Sequence, residues 1–204
     1  MKKNKIKDTG LEVTELSFGT SSLGSMPDTY GYEVPEQRAQ ETLKRFFQGP
    51  VNMLDTSRNY AMGESEKRIG IAIKENGGWP ENFILSTKID RNMETLVLDK
   101  KRTRESIEES LKTLNVDSVD ILFLHDPEYV KDVNDVTKKD GALDELFKIK
   151  EEGLAKAVGL AMGKINIMFP ILKNWDFDVI INHNRYTLLN READEMYSLS
   201  LIHI

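Results

Sequence analysis

The sequence predicts an α/β protein in which helices wrap a parallel sheet, of the (β/α)8 TIM barrel type, with about six βα units and an N-terminal β-hairpin. Three observations carry that prediction. Compact apolar runs recur at residues 15–19, 51–55, 83–88, 120–125, 155–161 and 177–182. Amphipathic segments of helical periodicity separate them, and strands that alternate with crossover helices build parallel sheets because right-handed βαβ connections lay each helix over the sheet. Polar residues capable of chemistry stand at the ends of consecutive runs. A barrel collects such ends on one face, whereas a doubly wound open sheet gathers ligands mainly at one switch point.

The elements follow in order. KIKDTGLEV (5–13) reads as two extended pieces around an Asp-Thr-Gly turn, a hairpin that can plug one end of a larger fold. ELSFG is the first strand of the main sheet, and GTSSLG (19–24) after it is a flexible loop, a near miss for a phosphate-binding loop because Ser25 stands where lysine is needed. VNMLD follows as a strand. In ESEKRIGIAIKE (64–75), Ile69, Ala72 and Ile73 form one stripe, with Glu64 and Glu66 at the favourable N-terminal end. FILSTK precedes a helix over 100–114, where Ile107, Leu111 and Leu114 share a face and Asp99 is the N-cap. DILFLH is a strand and KDVNDVTKKD (131–140) an exposed loop. ALDELFKIKEEG buries Leu143, Leu146 and Phe147 and ends at Gly153 as C′ residue. After AKAVGLA, the residues Met162, Met168 and Phe169 read as core or loop packing, and FDVIIN is the sixth strand. A full barrel of this type needs about 250 residues. With six units, and an apolar SLSLIHI run on an unfinished helix at the end, residues 1–204 are expected to form one domain that is incomplete at its C-terminus.

Composition narrows the function classes. The 204 residues are 39% apolar and 30% charged, ample for one core. A net charge of -6 offers no attraction to nucleic acid or to an anionic membrane, so neither is an expected partner. No cysteine is present, which removes disulfides, thiolate catalysis and Cys-based metal centres. No apolar stretch reaches transmembrane length, the N-terminal lysines precede no signal-like apolar region, and a cytoplasmic location is expected. Nothing in the patterning specifies an oligomeric state.

Asp55 and Tyr60 lie five residues apart, while Lys88 and His125 close the next two strand-like runs. Each has a bland reading alone: a cap, a packing ring, an exposed cation, a satisfied histidine. Three consecutive βα units nevertheless bring the acid, amine and imidazole to equivalent depth, with the phenol on the loop just beyond. An ordinary tyrosine pKa of about 10 is too high for easy proton exchange, and a lysine cation beside it is expected to pull it down. Asp55 would aim Lys88, and a neutral His125 would orient the reacting oxygen. Such an array moves a proton to or from a carbonyl or alcohol while a nicotinamide or flavin moves the hydride, since side chains have no hydride donor. Lys88 as a Schiff-base nucleophile of a barrel lyase is a second reading, and a non-catalytic fragment a third.

The runs LDTSRNYAMGESEKRIGIAI, STK and LFLHD resemble the aldo-keto reductase family from the hairpin to about residue 190. That resemblance implies a (β/α)8 barrel, NAD or NADP as cofactor with no metal, and a small-molecule sugar or carbonyl as substrate. It makes Tyr60 the general acid/base, Lys88 the group that tunes it, Asp55 the partner of Lys88, and His125 the residue that orients substrate. STKIDRNMET, LHDPE and WDFDVIINHNRYTLLNR are similar to the family's aldose 1-dehydrogenase branch, which implies oxidation of a C1 hydroxyl to a lactone in L-fucose, D-arabinose or a similar sugar. Pyridoxal oxidation and general aldehyde or ketone reduction are the alternatives. Where many members hold the nicotinamide carboxamide with Ser-Asn and Gln, this chain has Ala161, Met162 and His183, with Asn182 as a further candidate. Tyr30, Arg58 and Asp126, together with Tyr32, Asp90 and Glu128, lie on predicted rim loops and are candidates to contact substrate hydroxyls. The family's contacts to cofactor phosphate and adenosine follow the seventh and eighth strands.

Overall fold

The computed structural model describes residues 1–202, with side chains described to residue 198. Strands β1 (Lys3–Ile6) and β2 (Leu11–Thr14) form the expected antiparallel hairpin, closing with Ile6 opposite Leu11. Among the described residues the main sheet has six parallel strands, β3 (Phe18–Gly19), β4 (Met53–Asp55), β5 (Ile84–Ile89), β6 (Val119–His125), β7 (Ala155–Met162) and β8 (Val179–Asn182). Their order across the sheet is their order in the chain, and the sheet curls as part of a barrel does. Helices α1 (Pro27–Tyr30), α2 (Glu36–Phe47), α3 (Glu64–Glu75), α4 (Lys100–Leu114), α5 (Asn134–Thr137), α6 (Ala142–Glu151), α7 (Ile165–Asn174) and α8 (Asp194–Ile202) occupy the connections. The six-unit α/β fold is therefore as the sequence predicts.

Alternation along the strands sorts the core into two layers. Ile84, Ile121, Phe123, Ala157 and Ala161 point to the concave side, where Ile6 and Leu11 of the hairpin join them. Leu85, Ile89, Leu122, Leu124, Val158 and Leu160 point outward against the helices. The hairpin thus seals the N-terminal ends of the strands. Asn52, just before β4, fastens it: its side chain accepts from Thr14 N at 2.9 Å and donates to Glu12 O at 2.9 Å. Gly159 supplies the space that Phe123 fills, since a Cβ there would stand 2.5 Å from the Phe123 ring and 2.6 Å from Val179 O.

The three anticipated helices have the expected faces. Asp99 caps α4 by accepting from Arg102 N at 2.8 Å, and Gly153 adopts φ +80° beyond α6. Besides the one-turn helices α1 and α5, two longer helices escaped the sequence reading. In α2 the apolar face is only Ala39, Leu43 and Phe46 amid charge, and α7 contains Pro170, which normally argues against a helix interior. Met168 of α7 is buried, as expected. The charged segment 131–140 is not wholly an exposed loop: it contains α5, and Val136 is buried because it packs into the outer core. GTSSLG is likewise packed, with Leu23 and Gly24 buried in a 3-10 turn. The SLSLIHI run starts within α8, but its side chains from residue 199 and its backbone from residue 203 lie outside the described residues. Among the described residues no helix is long and apolar enough to cross a membrane.

Two features of α3 give testable consequences. At Gly70 a Cβ would lie 2.1 Å from Thr113 O of α4, a collision with backbone. Gly70→Ala is therefore expected to cost about 2 kcal/mol in denaturant unfolding, through forced separation of α3 and α4. Glu66 is fully buried beneath α3, accepting from Thr87 Oγ1 at 2.6 Å, while its Oε2 has no hydrogen-bond partner. Burial pushes its carboxyl up to about 7, against the Thr87 hydrogen bond, the nearby Ser110 hydroxyl and the Arg58 charge, all of which favour the anion. Because the folded value stands above the unfolded one, the stability carried by the neutral acid is full below about pH 4.5 and is lost as pH rises through about 7. The loss amounts to about 3 kcal/mol by about pH 8, and Glu66→Gln should flatten that slope when unfolding free energies at about pH 5 and about pH 8 are compared.

Candidate active site

Asp55, Lys88 and His125 are the last inward-facing residues of β4, β5 and β6, so one rim of the sheet receives all three. Lys88 is 2% exposed, and its Nζ donates to Asp55 Oδ2 at 2.6 Å and to Thr56 O at 2.7 Å. Ser86 Oγ donates to the other carboxylate oxygen at 2.5 Å. The ammonium lies 4.8 Å from the centroid of the Tyr60 ring, and that ring meets His125 edge-on with centroids 6.1 Å apart. The four residues singled out from the sequence are thus brought together. Tyr60 reaches this place because the backbone turns left-handed directly after it, at Ala61 (φ 50°), Met62 (φ 55°) and Gly63 (φ 95°).

Electrostatics here differ from the expectation. Burial raises the Tyr60 pKa above the ordinary tyrosine value, and the Lys88 charge, which lowers it, does not outweigh burial; Asp55 and Asp90 push it up further. At neutral pH the phenol is protonated. For Lys88, burial favours the neutral amine, but the Asp55 charge above all, together with the Tyr60 oxygen and the hydrogen bonds of both, more than offsets it, so its pKa stands above the ordinary lysine value. An amine held protonated by a buried carboxylate is a poor nucleophile, which argues against a Schiff base at Lys88.

Asp90 does not act as a solvated rim residue. It is fully buried, and its Oδ1 lies 2.6 Å from His125 Nδ1 while Oδ2 accepts from Ser57 Oγ at 2.6 Å and from Asn59 N at 3.0 Å. Burial favours the neutral acid, yet the His125 charge and these hydrogen bonds hold its pKa below the usual carboxylate value. Arg102 Nε donates to Asp90 O at 3.1 Å and fixes the backbone as well. Sequence reasoning missed Ser57, and it missed this use of Asp90. The available signal was the two-residue spacing from Lys88, which returns Asp90 to the same face.

The remaining candidates divide. Asn182 donates through Nδ2 to Met162 O at 2.9 Å, and its Oδ1 is buried without a partner. His183 packs over Gly163 and lies 3.4 Å from Asp126 Oδ1 through Nε2. Ala161 faces the concave side, whereas the Met162 side chain turns into the outer core and presents only backbone. Asp126, at φ 44°, stands between the two imidazoles, 3.7 Å from His125 Nε2. Tyr30 is exposed, pairs with Ser21 Oγ and lies near Tyr32. Arg58 is directed away to Glu109 of α4 at 3.2 Å. Glu128 accepts from Gly163 N and Lys164 N, and with Asp126 and His183 it offers ligand atoms within 4.8 Å of one another, a grouping the sequence reading did not anticipate. Asn182 pairs in register with the outward-turned Met162 and lies 3.6 Å from Met168 Sδ of α7, so its side chain belongs to the helix-covered face, and His183 is the one of the two that stands at the rim beside Asp126.

Comparison with known proteins points one way. Residues 15–200 match the sequence profile described as the Aldo/keto reductase family. The chain is 34% identical over 190 residues to L-galactose dehydrogenase of Arabidopsis thaliana, covering 88% of this chain and 55% of that protein. It is 27% identical to D-threo-aldose 1-dehydrogenase of a Pseudomonas species, covering 90% of this chain and 60% of that protein. A holo-form aldo-keto reductase from Bacillus halodurans superposes with a TM-score of 0.80 at 26% identity, over 100% of this chain and 63% of the other. The chain therefore spans little more than half the length of these curated relatives.

Breaking the buried ion pair from one side exposes its energetics. Asp55→Asn leaves Lys88 buried without its counter-charge and is expected to cost about 3 kcal/mol in equilibrium unfolding. The double variant Asp55→Asn/Lys88→Met should recover most of that loss, because no charge is then stranded.

Proposed function

The chain belongs to the aldo/keto reductase family, and from that premise we propose that it works as an NAD(P)-dependent oxidoreductase that oxidises the C1 hydroxyl of an aldose, such as L-fucose or D-arabinose, to a lactone. The observation that carries this reading is the protonated Lys88, anchored by Asp55 and set against the ring of Tyr60 at the rim of the sheet. The names of two relatives, a galactose dehydrogenase and an aldose 1-dehydrogenase, support the choice of sugar over a simple aldehyde.

The nicotinamide supplies a hydride acceptor when bound. The His183 ring, at the rim beside Asp126, would hold its carboxamide. Tyr60 exchanges the proton at the reacting oxygen, and Lys88 stabilises the phenolate each time it forms. Asp55 keeps Lys88 charged and aimed. His125, fixed by Asp90, orients the substrate hydroxyls.

Two measurements test the reading. Reduction of NAD or NADP followed by absorbance, with a panel of aldoses, should show turnover, and Tyr60→Phe should lower kcat by about 10²–10⁴-fold with little change in cofactor binding. A variant that keeps its rate removes Tyr60 from the chemistry. Because the Tyr60 pKa is raised, the base form is scarce at neutrality, so the oxidation rate should climb steadily into the alkaline range. A rate that plateaus below neutrality contradicts that assignment.

A further inference from the structure

Tyr60 owes its place to a turn that its own residues disfavour. Ala61 (φ 50°) and Met62 (φ 55°) are left-handed without being glycine, and Gly63 follows at φ 95°. Side chains of L residues rarely adopt that region, so the turn needs support from contacts elsewhere in the fold. We propose that Arg58 is a positioning residue for the reaction: anchored by Glu109 of α4, its guanidinium fills the space beside Gly63 and locks the turn in the form that keeps the Tyr60 ring against Lys88 and His125. The proposal rests on the oxidoreductase reading only for its kinetic consequence.

The contacts run in a row from the turn to the acid that clamps His125. A Cβ at Gly63 would overlap Arg58 Nη1, so the glycine gives the guanidinium its seat. Arg58 Nε donates to Glu109 Oε2 at 3.2 Å. Arg102 grips both oxygens of the same carboxylate, Nη1 to Oε1 at 2.9 Å and Nη2 to Oε2 at 2.8 Å, a fork that fixes direction as well as charge. Arg102 Nε then donates to Asp90 O at 3.1 Å, on the residue whose carboxylate meets His125. Loop 58–63 is thereby tied to α4 and to the end of β5. At the other end of the turn Ala61 is wedged against Gly24, where a Cβ would overlap the Ala61 methyl group. The Arg58 and Glu109 side chains are 32% and 41% exposed, so their ion pair adds little stability. Geometry is what it supplies.

The test uses the full chain and does not depend on turnover. The sequence has six tyrosines, and carbon NMR of protein labelled at the tyrosine Cζ follows each phenol through its titration, with Tyr60→Phe identifying the Tyr60 signal. In the unaltered chain burial holds the Tyr60 pKa above the ordinary value against the Lys88 charge, with Asp55 and Asp90 adding to the rise. Arg58→Gln releases the turn and lets the ring leave its desolvated place, so Tyr60 should titrate at lower pH, nearer about 10, while the other tyrosine signals stay where they were. A Tyr60 titration equal to that of the unaltered chain, or above it, overturns the proposal. Should Arg58→Gln not fold, Glu109→Gln, which frees the guanidinium from its anchor, decides in the same way: a downward shift supports the proposal and an unchanged titration overturns it. In steady-state oxidation of an aldose, each single variant should lower kcat about ten-fold with KM held within about two-fold. The double variant should be no slower than Glu109→Gln alone, because Arg58 acts through that anchor; losses that multiply contradict the proposal. An unaltered chain without turnover counts against the enzymatic reading and leaves the NMR result standing.

Discussion

Everything at the rim depends on one desolvated charge pair. Lys88 Nζ and Asp55 Oδ2 lie 2.6 Å apart at the ends of neighbouring strands, and the ammonium is almost shut off from water. Such a pair gains little net stability, because the cost of desolvating two ions rivals their attraction. Its value is positional. The carbonyl of Thr56 and the hydroxyl of Ser86 take up the remaining hydrogen-bonding capacity, which leaves the ammonium a single open direction, toward the Tyr60 ring.

Two opposing forces then act on Tyr60. The cation favours the phenolate, while the apolar surroundings and the acids nearby favour the phenol, and the second group prevails. A cation beside a hydroxyl does not by itself make a base; the extent of burial decides. His125 is governed by different rules. Its partner Asp90 is itself held ionised, against burial, by the His125 charge and by hydrogen bonds from His125, Ser57 and Asn59, so the imidazole is clamped through hydrogen-bond direction as well as charge. The rim is therefore two clamped pairs meeting at a phenol.

Much of this was legible before any coordinates. The strand runs carry Asp55, Lys88 and His125 at their ends, and period-two alternation with parallel pairing fixes which side they face. What was not legible depends on contacts distant in sequence or on backbone sign. Arg58 resembled a rim residue, but Glu109 lies fifty-one positions away and takes its guanidinium outward. The left-handed turn at Ala61 and Met62 has no residue signature, since neither side chain favours that region. Helix α2 hid behind its charges, and α7 behind its proline. The sign of the Tyr60 shift needed a burial that no local pattern reveals.

Glu66 extends the argument beyond the rim. A carboxyl that is ionised in the open chain and about half protonated in the folded one near pH 7 makes folding a proton-consuming process. The proton must come from the medium. The heat recorded when this chain melts near neutrality therefore contains the ionisation enthalpy of the surrounding buffer, and phosphate and amine buffers will return different calorimetric enthalpies for the same structural event.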